Sequence, residues 1–121
     1  MKVELDIPDQ DIIDVMVTAL EGGSNYWYDL PDTSMVRKHY GKETNLSGAE
    51  KVVKAVLEHN EVVPVYDIED DDYHLGDISQ KNFKRGLQLF MADDRTWEAD
   101  MDAGEADVFF QFVVMGEIVY G

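Results

Sequence analysis

Two short segments concentrate the side chains best suited to chemistry. In the first, Glu21-Gly22-Gly23-Ser24-Asn25-Tyr26-Trp27-Tyr28, a diglycine lets the backbone turn sharply out of a helix. Three aromatic rings follow, beside exposed backbone N–H groups and the amide of Asn25. Rings in such a layout can stack a planar ligand, as base-binding proteins do. The competing reading is a helix C-cap followed by a core strand, with Tyr26 and Tyr28 on one face and Trp27 on the other. A phosphate loop is excluded, because a helix C-terminus repels anions. In the second segment, residues 106–121, Gln111 interrupts an apolar helix, and a buried amide must find hydrogen-bond partners. Glu117 and Tyr120 line a pocket with Trp27 if the two ends of the chain meet. The candidate ligand-binding residues are therefore Glu21, Gly22, Gly23, Asn25, Tyr26, Trp27, Gln111, Glu117 and Tyr120.

Other chemistry is poorly supported. There is no cysteine, so thiol catalysis, disulfides and thiolate metal sites are excluded. His39, His59 and His74 fall in no metal-binding frame. The acids from Asp67 to Asp77 fail the calcium-loop register: counting from Asp67 puts Asp72 where glycine is required and Ile78 where the closing glutamate belongs. Such a run usually forms a solvated turn that blunts a hairpin edge. Ser24, Ser34, Ser47 and Ser79 lack a nucleophile elbow. No catalytic residue, metal site or cofactor is expected, and an enzyme is disfavoured.

The elements that must position these side chains follow from patterning. Lys2 to Ile7 alternates like a half-buried strand. A helix is predicted over about 8–21, opened by Pro8 and stopped by Gly22-Gly23. An aromatic strand is expected over 24–30, and residues 33–46 read as a loop, with at most a short strand. Ser47 and Glu50 form a capping box before a second helix that ends near His59-Asn60. Val62 to Ile68 reads as a strand with Pro64 at an edge or its start, Glu69 to Asp72 as a turn, and Tyr73 to Leu75 as a short returning arm. Asp77 with Gln80 opens a third helix over about 78–92, in which Gly86 marks a close contact. Asp102 with Glu105 opens a fourth, apolar on most sides and so central. The expected fold is α+β: one domain over 1–121, with a small mixed or antiparallel sheet of three to four strands and about four helices packed on it.

Charge restricts the partners. Ten Lys and Arg face 26 Asp and Glu, a net charge of −16 over 121 residues. Phosphate backbones and anionic membranes repel such a chain, so direct nucleic-acid or membrane binding is not expected. Two basic islands remain, Arg37-Lys38 with Lys42, and Lys81 with Lys84-Arg85. The first residues form no signal peptide and no run is long enough to span a membrane, so the cytoplasm is the expected compartment.

The segments ALEGGSNYWY at 19–28 and ADVFFQFVVMGEIVYG at 106–121 resemble a group of small proteins from phages, prophages and other mobile elements of bacteria. That group shares an E-G-G-x-x-Y-W segment after an N-terminal helix and an A-D-x-x-x-Q … G-E-x-V-Y-G ending. Glu21, Gly22, Gly23, Tyr26, Trp27, Asp107, Gln111, Gly116 and Tyr120 match the pattern. The resemblance implies a genomic setting and brings no reaction with it. The expected function is an accessory protein that binds a host or phage protein through its acidic surface. The alternative is a small-ligand or nucleotide-binding domain with its pocket at Glu21–Tyr28.

Overall fold

A computed structural model describes residues 7–121. The strand expected over 2–7 lies, but for Ile7, outside them. Helix α1 spans Asp9–Thr18, with Asp9 and Asp11 in its positive first turn. It runs on as a π turn, Ala19–Gly23, closed by the Ser24 N–H on the Ala19 carbonyl at 2.8 Å. The expected left-handed glycine cap is absent: neither Gly22 nor Gly23 has a positive φ. Gly23 is required for another reason. A Cβ there would lie 2.3 Å from the Ala103 carbonyl oxygen, so only glycine lets the two backbones touch.

Strand β1 is only Tyr28–Asp29. The aromatic segment is mostly a turn, because the Trp27 N–H bonds back to the Ser24 carbonyl. Helix α2, Ser34–Tyr40, stands where the sequence suggested a loop. Its polar sequence carries one buried anchor, Met35, and the helix is held by packing on α3, Gly48–His59. The Ser47–Glu50 capping box forms in both directions, and Asn60 closes α3 in the left-handed region. Val52, Val53, Ala55 and Val56 form the buried stripe of α3.

Strands β2, Val63–Asp67, and β3, Asp70–Ile78, make an antiparallel hairpin around Ile68-Glu69. The turn is shorter and the returning strand longer than expected. The sheet order is β1-β2-β3, all antiparallel, with register shifts in the β2–β3 pair after Val65 and Tyr66. Pro64 is tolerated in the middle strand because β1 pairs only with Tyr66 and Asp67.

Helix α4, Gln80–Ala92, is capped by Ser79, whose hydroxyl accepts the Asn82 N–H. Asp77 does not cap it. Helix α5, Ala103–Met115, starts at Asp102 and ends at Gly116, which is left-handed at φ 75°. Eight of its 13 residues are buried, including Phe109, Phe110 and Phe112, and it packs against α1, the π turn, β3 and α4. A Cβ on Gly86 would lie 2.5 Å from Val113 Cγ2, the close contact between α4 and α5. Arg85 reaches the end of α5 and donates to the Val113 carbonyl at 2.7 Å. Each large apolar side chain in this core contributes about 1.5–3 kcal/mol of burial. A single cap is worth about 1 kcal/mol, so the central helix and not the caps fixes the fold. Among the described residues the architecture is α+β: five helices around a three-stranded antiparallel sheet.

Candidate functional site

Asp107 accepts the longest-range hydrogen bonds among the described residues. Its side chain is almost wholly buried on α5. Oδ1 accepts from the Ser24 hydroxyl at 2.7 Å and the Trp27 indole Nε1–H at 2.7 Å. Oδ2 accepts from the Tyr26 hydroxyl at 2.6 Å and the Gln111 amide Nε2 at 3.2 Å. Three of these four donors come from the segment after the π turn. The tight exit at Gly23 lets that segment reach α5.

Gln111, one turn further along α5, continues the network to the C-terminal tail. Its Oε1 accepts from the backbone N–H groups of Val119 and Tyr120, at 2.7 and 2.8 Å. Its Nε2 also donates to the Tyr120 carbonyl at 3.1 Å. The buried amide is thereby satisfied as its place in an apolar helix requires. Gly116 turns the chain back so that the tail lies across this amide. The Tyr120 ring then stacks on Trp27, centroids 5.3 Å apart and 14° from parallel, while Phe110 packs against the same indole at 5.0 Å. The Tyr120 hydroxyl donates to Asp67 at the end of β2, at 3.1 Å. The Ile68 N–H donates to the Trp27 carbonyl at 3.0 Å.

The titration of the tyrosines follows this geometry. Burial, and then the hydrogen bond to Asp107, push the Tyr26 phenol up to about 12. Burial and the bond to Asp67 raise Tyr120, and burial with the nearby Asp29 and Glu21 raises Tyr28.

The two segments singled out in sequence do meet, but they meet as a latch and not as an open pocket. Trp27 is 2% exposed, so it offers no free face to a planar ligand. Tyr120 covers one face of the Trp27 indole. Tyr26 lends its hydroxyl to Asp107, and the residue as a whole stays 52% exposed. Asn25 and Glu117 are exposed and make no hydrogen bond among the described residues. Gly22 is exposed, and Gly23 touches the start of α5. Glu21 lies apart from the latch, on the wall of a cleft that also includes Tyr28. Asp107 and Ser24, absent from the expected site, hold it together. Besides its match to the resembled pattern, Asp107 had a local signal: with Gln111, four residues on, it is one of two polar side chains in the otherwise apolar stretch 106–115.

Two further clusters take shape elsewhere. His39 stacks on His59 at 3.9 Å and bonds Glu61 at 2.6 Å. Asp70, Asp71 and Asp72 bring carboxylate oxygens within 4.8 Å of one another at the exposed start of β3. Among the described residues no helix is long and apolar enough to cross a membrane.

The end of the molecule that the latch assembles is both apolar and acidic. Tyr26, Ile68, Tyr73 and Val119 are each about half exposed or more, at 52, 48, 58 and 53%. The bonds from Ile68 to Trp27 and from Tyr120 to Asp67 bring these side chains to one end. Glu69, Asp70, Asp71, Asp72 and Glu117 lie beside them in the sequence and are exposed. No known protein-family model matches the chain, and neither a curated protein nor a solved structure does.

Proposed function

We propose that the chain is an accessory binding protein of the phage or mobile-element kind, which docks on a basic protein surface through its hairpin-and-tail end. The observation that carries this reading is the gathering of Tyr26, Ile68, Tyr73 and Val119, exposed, among acidic side chains. Exposed apolar side chains grouped at one place mark interaction surfaces. Aromatic anchors at the centre with charge at the rim are the usual anatomy of an interface. The acids supply steering and select a cationic partner, and with a net charge of −16 they repel nucleic acid. The latch contributes stiffness. It fixes the hairpin, the aromatic turn and the tail relative to one another, so little side-chain or loop entropy is lost on docking.

Capture from bacterial lysate on the immobilised chain tests the reading. A specifically retained protein should be basic, should be released by raised salt, and should be lost with either Tyr73→Ser or Asp71→Lys. Retention of the same proteins by both variants, or no salt-sensitive basic protein at all, contradicts it.

A further inference from the structure

Away from Asp107, the π turn helps to wall a second feature. Leu20 and Glu21 line a cleft of about 340 Å³ together with Tyr28, Val36 and Val52. A neighbouring cleft of about 620 Å³ is lined by Arg37, Lys38 and Lys51. Thr33 and Val36 line both, so the two clefts adjoin where α2 meets α3, as the two halves of a composite groove. One half is apolar and the other cationic.

The cationic half is unexpected in this chain. Three of its ten Lys and Arg side chains line a single recess. Lys38 shares Glu61 with His39, but among the described residues Arg37 and Lys51 have no ion-pair partner. Asp32, at the foot of α2, accepts the Ser34 N–H at 3.0 Å, which holds its carboxyl below the usual range. Among the described residues Arg37 and Lys51 thus line the recess with no carboxylate paired to either. The apolar half has the opposite character, with aliphatic and aromatic walls and one carboxylate, Glu21. Its size falls within the roughly 300–1,000 Å³ of ligand clefts. It is also bordered by a π turn, an element frequent at functional sites.

We infer that this groove binds a small amphipathic monoanion. The apolar body lies against Leu20, Tyr28 and Val36, and the carboxylate or similar headgroup meets Arg37 and Lys51. Glu21 repels a second anionic group at the apolar end, which selects one charge over two. The site does not depend on the docking face, and it uses Glu21 and Tyr28 of the aromatic segment without Trp27.

Octanoate is a suitable probe, added to the full chain and followed by NMR. Saturable shifts should appear at amides of residues 20–38 and 48–53. Octanol and acetate, which each lack one half of the recognition, should bind about tenfold more weakly or worse, the cost of a lost charge-assisted contact or a lost apolar body. Arg37→Glu with Lys51→Glu should weaken octanoate by a similar factor. Gly48 lines the apolar half, and nothing lies within 4 Å of a Cβ built there. Gly48→Leu should therefore fill the cleft and abolish binding while leaving the unfolding midpoint unchanged or higher. The inference is overturned if millimolar octanoate gives no saturable shifts, if the shifts fall outside the groove, or if the double charge reversal binds as tightly as the wild type.

Discussion

Asp107 holds four donors from two parts of the chain, and its replacement separates them. In Asp107→Asn one oxygen becomes an amide nitrogen, which must face hydroxyl or amide donors with a donor of its own. Hydrogen bonds to a charged acceptor are worth about 1.5–3 kcal/mol each, and leaving a buried donor unpaired costs about as much. The expected loss is about 3 kcal/mol in urea unfolding, against about 1 kcal/mol for Tyr26→Phe, whose hydroxyl lies nearer solvent. Equal losses for the two variants contradict the central place given to the carboxylate. The raised Tyr26 phenol, at about 12 against an ordinary 10, sets a pH dependence of definite sign. Its folded form holds the proton more tightly than the unfolded chain does. The stability it contributes is thus complete below about pH 10 and is lost as pH rises through 12. Ultraviolet titration of tyrosinate, compared between wild type and Tyr26→Phe, should lose one late-titrating phenol. Of these residues, Gln111 was readable in sequence because an amide in an apolar helix demands partners. Ser24, Tyr26 and Trp27 were not assignable to Asp107, because they lie 83, 81 and 80 residues away and nothing local encodes that pairing.

Elements with local signals were legible, and those held by distant contacts were not. Ser47 and Glu50 announce α3 because a capping box is complete within four residues. Helix α5 is legible as a central helix because it is apolar on most sides. By contrast, α2 has a polar sequence around Met35, and its helicity comes from packing on α3. The diglycine invited a left-handed cap, whereas Gly23 answers to the Ala103 carbonyl of a helix that starts 80 residues later in the chain. Two alanine substitutions separate these roles. Gly22→Ala should be nearly neutral, since nothing lies within 4 Å of the added carbon. Gly23→Ala should cost about 1–3 kcal/mol through overpacking against backbone. Similar unfolding midpoints for both would remove the close approach from the explanation. The tail makes a matching prediction. Removing residues 117–121 strips Gln111 of three hydrogen bonds and Trp27 of its stacking partner, and should shift tryptophan emission to longer wavelength.

At the scale of the whole molecule, charge and shape divide the surface into two regions of different character. Acids concentrate at the hairpin-and-tail end, and Arg37, Lys38 and Lys51 gather at the groove between α2 and α3. A net charge of −16 opposes the folded state by self-repulsion, which salt screens. Raising ionic strength should therefore stabilise the free chain, by about 1 kcal/mol or about 4 °C in midpoint at this size. The same salt should weaken docking on a basic partner, so stability and binding move in opposite directions. Composition argues against phosphate-backbone partners, but only the fold brings Tyr26, Ile68, Tyr73 and Val119 to one end, because they come from three separate stretches of sequence. Photo-crosslinking in bacterial cells measures that juxtaposition in use. With a benzophenone side chain in place of Tyr73, one basic protein should be captured, and the same group in place of Lys81 on α4 should capture none. Capture from position 81 alone, or no adduct at position 73, contradicts the assignment of the docking face.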